Sequence, residues 1–246
     1  MAARTLMLKL DQRGWIRLPP RRQVPINRMR QKPIPVTPLP VCELPITEPL
    51  SALLPLSLTE VSRPGVAQRD LFQALLHQHH YLSHRGTVGE NLQFLVCDYQ
   101  ARPLACVLFG SAAWQCADRD QYIGWDSATR SQRLHFLTNN TRFLIPAWVR
   151  VVNLASHILG RITQDLSRHW QLKYGHPIYL LETFVERERF AGTAYQAANW
   201  VRVGQTKGRS RQDRADGAHH QVPIKDVYLC PLHPRFRELL RGTLPT

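Results

Sequence analysis

Cysteine pairs and long apolar runs are scarce in the sequence. Its five cysteines are odd in number and form no Cys-x-x-Cys pair, so neither a disulfide framework nor a zinc ribbon is indicated. No apolar run reaches the roughly 18 residues of a membrane span, and the N-terminus lacks the apolar region of a signal peptide. These absences predict a protein of the reducing cytoplasm.

Acidic residues are also few. Lys and Arg together number 32 against 18 Asp and Glu, which is a formal net charge of +14. A chain with this excess repels itself, and the usual reason for it is a polyanionic partner. The arginines recur along the whole chain, whereas a membrane binder concentrates its cations on one amphipathic helix. We therefore expect nucleic acid, DNA above all, as the partner and no membrane contact; a ribosomal partner fits the same charge.

Proline marks the organisation of the chain. From Pro19 to Pro55 prolines recur every few residues, which removes backbone donors and prevents helix propagation. We therefore divide the 246 residues into a basic, proline-rich N-terminal arm or linker, 1–57, and a globular domain, 58–246. Residues 5–18 resemble the last helix and wing strand of a winged-helix unit. An isolated wing cannot bury its apolar face, so a loose basic arm is the favoured interpretation.

The globular part alternates helical and strand patterns. A stripe of apolar residues at helical spacing predicts one long helix between the N-cap Asn153 and the stop Gly175. Further helices are predicted at 69–80, 130–138 and 191–198, and strands at 91–97, 103–109, 142–145, 177–185, 200–203 and 226–230. The first two strands are expected to form a hairpin. This order predicts an α/β fold of the α+β kind, with a mixed central sheet flanked by helices.

Glu182 is the first catalytic candidate. It lies inside the apolar strand 177–185, where an ionised carboxylate is costly unless it is paired or bound to a metal. As a functional residue it is a general base or a metal ligand. A structural ion pair with Arg142 on a neighbouring strand explains the sequence equally well, and both interpretations stay open.

Tyr195 and Asp126 complete the catalytic candidates. The Tyr195 hydroxyl is a candidate general acid or, in DNA transfer, the nucleophile that forms a phosphotyrosine; an aromatic ring packed on the sheet is the simpler interpretation. Asp126 and Glu182 are candidate ligands for two divalent cations, Mg²⁺ or Mn²⁺, although a solvated loop acid is favoured for Asp126. The sequence identifies no complete metal ligand set and no other cofactor.

A basic loop near the C-terminus is the stronger signal. After Gly204 and Gly208 cations alternate with small or polar residues, so several of them can face one phosphate track. Arginines on nearby elements, with the Trp148 and Trp200 rings as stacking surfaces, extend this pattern into a nucleic-acid groove. The predicted nucleic-acid-binding residues are Arg142, Arg150, Arg202, Lys207, Arg209, Arg211, Arg214 and Trp200. A merely solvated loop is the alternative.

Several uncommon strings, in order along the chain, carry a family resemblance. They are Arg142-Phe143-Leu144-Ile145-Pro146, Asn153-Leu154-Ala155-Ser156, Leu181-Glu182-Thr183-Phe184-Val185, Gly192-Thr193-Ala194-Tyr195-Gln196-Ala197-Ala198-Asn199-Trp200, Gly204-Gln205-Thr206-Lys207-Gly208-Arg209 and Lys225-Asp226-Val227-Tyr228. Through them the chain resembles the family of the Druantia anti-phage protein DruA over about residues 65 to 240. The resemblance implies a transposase-like protein of bacterial phage defence or of a mobile element, with partner proteins from the same system.

A second resemblance is one of architecture. The long helix, the apolar strand, the short helix that carries Tyr195 and the strand Val201-Arg202-Val203-Gly204 resemble the C-terminal half of the GNAT acyltransferase fold. By that resemblance Glu182 is a base and Tyr195 an acid in acyl transfer from a thioester. In that fold a glycine-rich turn before the long helix binds the coenzyme A pyrophosphate. Residues 146–152 contain no glycine, so a GNAT-like scaffold is expected but use of acetyl-CoA is not.

Three functions stay open on the sequence. The favoured one is a DNA-binding protein of a mobile element or anti-phage system that engages single strands or junctions through the Arg-rich loop. If this protein is an enzyme, DNA strand cleavage or transfer, as in a transposase or nuclease, is the expected reaction. The alternatives are a GNAT-type N-acyltransferase and a non-catalytic nucleic-acid-binding adaptor beside a helicase partner, because a fold does not decide the chemistry.

Overall fold

The chain divides by its internal contacts into two units, Met1–Pro35 and Val36–Thr246. The structure is a computed structural model that describes residues 3–19, 43–63, 65–66, 68–84, 86–208 and 222–243. Residues 20–42 of the predicted arm therefore lie outside the described residues.

The described part of the first unit is one helix and the turn after it. Helix α1 (Ala3–Gln12) ends before Gly14, whose positive φ of 71° lets the chain reverse. The Asp11 carboxylate then accepts a hydrogen bond from the Leu18 backbone N–H at 2.9 Å. Residues 3–19 contain no strand, so the predicted wing strand is wrong; the backbone after Gly14 closes onto α1 and has no second strand to pair with.

The second unit is a sheet with helices on both faces. Its strands are β1 (Ser57–Glu60), β2 (Leu92–Cys97), β3 (Pro103–Ser111), β4 (Leu137–Leu144), β5 (Leu180–Glu186), β6 (Val201–Gln205) and β7 (Lys225–Pro231). Its helices are α2 (Leu50–Leu53), α3 (Gln68–His79), α4 (Ala117–Ile123), α5 (Ser127–Arg133), α6 (Leu154–Tyr174), α7 (Thr193–Ala197) and α8 (Phe236–Arg241), and a single 3-10 turn, Leu134–Phe136, leads into β4. None of the helices described is long and apolar enough to cross a membrane.

Seven strands form one mixed sheet in the order β1-β2-β3-β4-β5-β7-β6. Neighbouring strands are antiparallel except β4 and β5, which run parallel and pair over three residues of each strand, ending with Asn139 opposite Glu182. Beyond that pair β4 continues to Leu144 and β5 to Glu186 without pairing to each other, so the two strands separate inside the sheet. The predicted α+β class with a mixed central sheet is confirmed, and so is the β2–β3 hairpin.

Helix α6 covers one face of the sheet. Its buried side chains are Leu154, Ile158, Leu159, Ile162, Leu166 and Trp170. All of these except Leu159 belong to one apolar cluster with Leu181 and Val185 of β5, which confirms the predicted helix and its apolar stripe. Gly175 ends the helix in the left-handed conformation, and its N–H donates to the Gln171 carbonyl. Asn153 occupies the N-cap position but has a φ of 63° and makes no side-chain cap.

Helices α4 and α8 cover the opposite face. The apolar cluster there includes Ile123, Phe236, Leu240, Leu180 and Leu229. Strand β5 therefore sends Leu180 to this face and Leu181 to the α6 face, because successive side chains of a strand point to opposite sides. By the same alternation Glu182 points to the α4 face and Thr183 to the α6 face.

Two segments differ from their predicted structure or assignment. The predicted helix 130–138 is wrong in its second half, since β4 begins at Leu137 and Thr138 pairs with strands on both sides. Pairing with two neighbouring strands outweighs the local helical pattern.

Residues 43–56 contribute Ile46, Leu53 and Leu56 to the core of the second unit. The domain boundary after residue 57 stays a prediction.

Candidate functional site

Glu182 lies in the middle of β5 and is fully buried. Its Oε1 accepts a hydrogen bond from the Ala113 backbone N–H at 2.6 Å, and its Oε2 accepts one from Arg119 Nη1 at 2.8 Å. Burial raises the pKa of the Glu182 carboxyl, and the Arg119 guanidinium opposes that rise. The predicted ion pair with Arg142 is therefore wrong: the partner is Arg119 on α4, the helix on the face to which Glu182 points.

The other donors of Arg119 are also paired. Its Nε and Nη2 donate to Asp120 Oδ1 at 2.9 and 2.8 Å. Asp120 also accepts hydrogen bonds from Trp125 Nε1 and from Arg130 Nη1, each at 2.9 Å. We call Glu182, Arg119, Asp120 and Arg130 the β5 charge cluster. It balances two cations with two carboxylates through hydrogen bonds, which is the condition for keeping charges away from water.

Asp126 has a local structural role. Its Oδ1 accepts the Thr129 backbone N–H at 2.7 Å and so caps the N-terminus of α5. This hydrogen bond lowers the pKa of the exposed Asp126 carboxyl. The structure does not bring Asp126 into the buried environment of Glu182. Within the part of the chain that the structure describes, no group of three or more His, Cys, Asp and Glu side chains is placed to hold a metal ion.

A cavity of about 700 Å³ opens where β4 and β5 separate, a volume within the range of about 300 to 1,000 Å³ that ligand sites have. Its walls come from these strands, from the end of α3 and the turn after it, and from α7 and the loop before it. Its polar and aromatic lining includes Tyr81, Asn140, Arg142, Arg189, Tyr195 and Lys225. The described lining contains three Arg or Lys residues and no Asp or Glu, so it is suited to an anion.

Arg142 has no carboxylate partner among the described residues. Its Nε donates to the Ser83 carbonyl at 3.0 Å and its Nη1 to the Thr141 carbonyl at 2.7 Å, and both acceptors are neutral. Burial lowers the pKa of the half-buried Arg142 guanidinium. A cation held by neutral acceptors alone leaves its charge uncompensated, which favours an anion from outside the chain.

The other two cations of the cavity lie near the ends of β5 and β7. Arg189 is exposed, and its Nε donates to Glu186 Oε1 at 3.0 Å. Lys225 begins β7 opposite Glu186, and its carbonyl accepts the Thr206 backbone N–H at 2.8 Å. Strand β6 ends at Gln205 and β7 begins at Lys225. The two ends of the predicted basic loop therefore lie beside Lys225, which lines the cavity.

Tyr195 lines the same cavity. Its hydroxyl donates to Asn140 Oδ1 at 2.7 Å, and its ring packs against Trp200 with 5.1 Å between centroids. Burial raises the pKa of this hydroxyl. Tyr195 packs against the core cluster on the α6 face, whereas Glu182 points to the α4 face. The structure therefore does not bring the predicted base and acid together.

The predicted stacking surfaces are wrong. Trp200 is only 3% exposed because Tyr195 of α7 packs against it, and Trp148 is only 9% exposed with His79 packed edge-on against it. Neither ring has a free face for a base.

The remaining predicted nucleic-acid-binding residues are spread over the fold. Arg150 is exposed in the turn before α6, and Arg202 on β6 forms an ion pair with Asp226 at 2.7 Å. Lys207 is exposed just after β6. Arg209, Arg211 and Arg214 lie outside the described residues. Of the members of this set that the structure describes, only Arg142 lines the cavity.

Sequence reasoning missed several residues that the structure brings forward. Tyr81, Phe190, Arg189 and Lys225 line the cavity. Phe190 carried a signal, since it is a lone aromatic directly after four charged residues and so is unlike a core residue. Arg119 carried none, because it lies in a polar, acidic segment that is typical of a solvated surface.

The fold and the cavity together define a basic α+β protein with cations in the described lining of its cavity. The sequence model of the family described as Druantia protein DruA matches residues 41–235. The chain therefore belongs to the DruA family of Druantia anti-phage defence. A comparison with curated proteins gives no match.

Solved structures similar to this chain include spermidine N-acetyltransferases. A chimera of the Vibrio cholerae enzyme SpeG with hSSAT is 10% identical, with 72% of this chain and 95% of that chain covered and a TM-score of 0.47. Spermidine N-acetyltransferase from Vibrio cholerae in complex with CoA and spermine is 11% identical, with 71% and 92% covered and a TM-score of 0.44. Both have the GNAT fold that the sequence resemblance named. At these TM-scores the likeness carries no argument about activity.

Proposed function

We propose that the protein binds DNA as its part in Druantia defence, with the cavity between β4 and β5 and the basic loop after β6 as one binding surface. The observation that carries the proposal is Arg142 in the described cavity lining, a cation that has only neutral carbonyl acceptors; Lys225 lines the cavity with it, and so does Arg189, which also pairs with Glu186. Phosphate groups are the anions that paired or clustered arginines and lysines accept. The net charge of +14 supports a polyanion over a small acid.

The two described ends of the basic loop support one continuous surface. The hydrogen bond between Thr206 and Lys225 holds the two ends of the loop beside the cavity. The sequence between these ends contains Lys207, Arg209, Arg211 and Arg214. A DNA strand with one phosphate in the cavity is therefore expected to continue along these cations.

Strand cleavage or transfer is a narrower proposal. Tyr195 is the one predicted catalytic residue in the described cavity lining. In such a step the Tyr195 oxygen would lose its proton and attack the phosphorus of a backbone phosphate, the bond from phosphorus to the departing strand's oxygen would break, and the proton lost by Tyr195 would balance the one that this oxygen takes up. Glu182 and Asp126 have structural partners in the β5 charge cluster and in the α5 cap, so we do not assign them to this step.

Salt dependence tests the binding proposal directly. Fluorescence anisotropy with labelled single-stranded and duplex DNA, between about 50 and about 200 mM salt, should show affinity falling with a slope of about 0.7 per neutralised phosphate on single strands and about 0.9 on duplex. Arg142→Gln should weaken binding roughly tenfold, the effect of one charged hydrogen-bonded contact. The control is Arg168→Gln, an exposed arginine of α6 paired with Asp165 at 3.3 Å. Salt-independent binding, or equal losses in both variants, would contradict the proposal.

A covalent adduct assay separates an enzyme from an adaptor. Labelled DNA is incubated with the protein, with and without Mg²⁺ or Mn²⁺, and resolved under denaturing conditions. An adduct that Tyr195→Phe removes supports strand transfer through phosphotyrosine. Binding without cleavage or adduct under every condition supports the non-catalytic adaptor.

A further inference from the structure

Two exposed aromatic rings lie beside the cations of the cavity. Tyr81 and Phe190 are 39% and 49% exposed, with ring centroids 5.5 Å apart and planes tilted by 57°. The Arg189 guanidinium carbon lies 5.0 Å from the centre of the Tyr81 ring. Large aromatic side chains are mostly buried in folded proteins, whereas rings exposed beside arginine are the surfaces on which unpaired bases stack.

The wall of the cavity also offers a hydrogen-bond donor. His80 lines the cavity, and its Nδ1 accepts the Leu82 backbone N–H at 3.2 Å, which leaves the proton of the neutral ring on Nε2. Burial lowers the pKa of His80 to about 4, so the ring is neutral at neutral pH. A base edge presents acceptors that can satisfy such a donor.

We infer that the cavity holds one unpaired nucleotide of a DNA strand, with its phosphate against Arg142 and Lys225 and its base against Tyr81 and Phe190. This inference rests on the proposed function and names the part of the DNA that the site selects. The cations account for the phosphate, and the rings account for the base.

The size of the cavity limits what enters it. A volume of about 700 Å³ is that of a site for a single small molecule. A nucleotide inside a duplex has to leave its stack and its pairing partner before it can enter such a site, and an unpaired nucleotide has already lost the pairing. The protein is therefore expected to prefer DNA with an unpaired nucleotide over a perfect duplex.

Three labelled DNAs of equal length test the inference. One is a perfect duplex, the second carries one unpaired nucleotide in an otherwise identical duplex, and the third has an abasic residue at that position, which keeps the phosphate and removes the base. The wild-type protein should bind the second DNA about tenfold more tightly than the first, the gain from one stacked base, and the abasic residue should remove most of that gain.

Variants assign this preference to the aromatic rings. Tyr81→Ala and Phe190→Ala should each reduce the preference for the unpaired nucleotide and leave affinity for the perfect duplex unchanged. Both side chains are exposed, so folding should be preserved, and thermal unfolding checks this. The matched control is Tyr99→Ala, a tyrosine that is 58% exposed after β2 and is not among the cavity residues.

Each failure has its own meaning. If no DNA is bound in any arm, the proposed function is wrong and the inference falls with it. If all three DNAs bind equally, DNA binding stands but the nucleotide site is overturned. If AMP displaces the unpaired-nucleotide DNA as effectively as that DNA displaces itself, the cavity takes a free nucleotide and not part of a strand.

Discussion

On the α4 side of β5 the charge cluster sets two arginines against two carboxylates, and at the cavity between β4 and β5 the described lining has three cations and no carboxylate. The first region has its charges paired within the chain. The second has a half-buried arginine, Arg142, whose acceptors are neutral carbonyls. Buried charges that are matched inside a protein maintain its fold, whereas unmatched charges at a cavity need a partner from outside.

The largest effect is expected from breaking the matched cluster. Glu182→Gln removes a buried charge that faces Arg119 at 2.8 Å and leaves Arg119 and Arg130 with one carboxylate, Asp120; removing one partner of a buried ion pair costs about 3 to 5 kcal/mol. Urea denaturation should therefore show a large fall in the free energy of unfolding. A variant as stable as the wild type would contradict the structural role and would return Glu182 to the catalytic candidates.

The double variant Arg119→Met, Glu182→Leu provides the control for that experiment. Removing both charges leaves no unmatched ion between them, and apolar replacements of buried ion pairs are often close to neutral in stability. We expect the double variant to be more stable than Glu182→Gln. The opposite order would mean that hydrogen bonding to Ala113 or Asp120 outweighs the pairing of charges.

Acid should lower the free energy of unfolding through His80, which lines the cavity, and through His84. The pKa values of His80 and His84 are lowered to about 4, first by burial and then by cations that include Arg142, His77 and Arg69. An unfolded histidine has a pKa of about 6.5, so between that pH and about 4 the unfolded chain binds protons that the folded chain does not. Stability is therefore present above about pH 6.5 and is lost as pH falls towards 4.

The loss of stability in acid should be smaller than the loss caused by Glu182→Gln. We expect roughly 1 to 2 kcal/mol for each ring, because partial access to solvent screens the added charge. Denaturation at pH 7 and pH 5 should show a smaller pH dependence in the His80→Gln, His84→Gln variant than in the wild type. The slope with pH is the measurement, since the substitutions themselves also change stability; equal slopes would contradict the assignment.

The structure also shows which elements of the fold can be predicted from local sequence patterns. The stripe of α6 repeats at helical spacing over 21 residues, and the β2–β3 hairpin has two apolar strands around a short turn, so local periodicity predicted both. The start of β4, Leu137 and Thr138, looked helical because its identity as a strand depends on pairing with β3 and β5. The separation of β4 from β5 depends on the same distant contacts, and with it the cavity.

The site was predictable only in part for a similar reason. An acid inside an apolar strand requires a partner, and the sequence correctly indicated this for Glu182. It did not identify Arg119, which lies 63 residues away in the chain. Arg142 was predicted as a nucleic-acid-binding residue from its charge alone. That its acceptors are neutral carbonyls is visible only in the structure. That role stays a prediction until binding is measured.

The smallest effect on stability is expected from Arg142. Arg142→Met keeps an apolar side chain of similar length and removes a cation that has only two neutral carbonyl acceptors, so the free energy of unfolding should change by less than about 1 kcal/mol. The difference should appear with a polyanion: heparin should raise the Tm of the wild type by mass action and raise that of Arg142→Met less. A stability loss as large as that of Glu182→Gln would instead mean that Arg142, too, is matched within the fold, and the contrast between the two regions would fail.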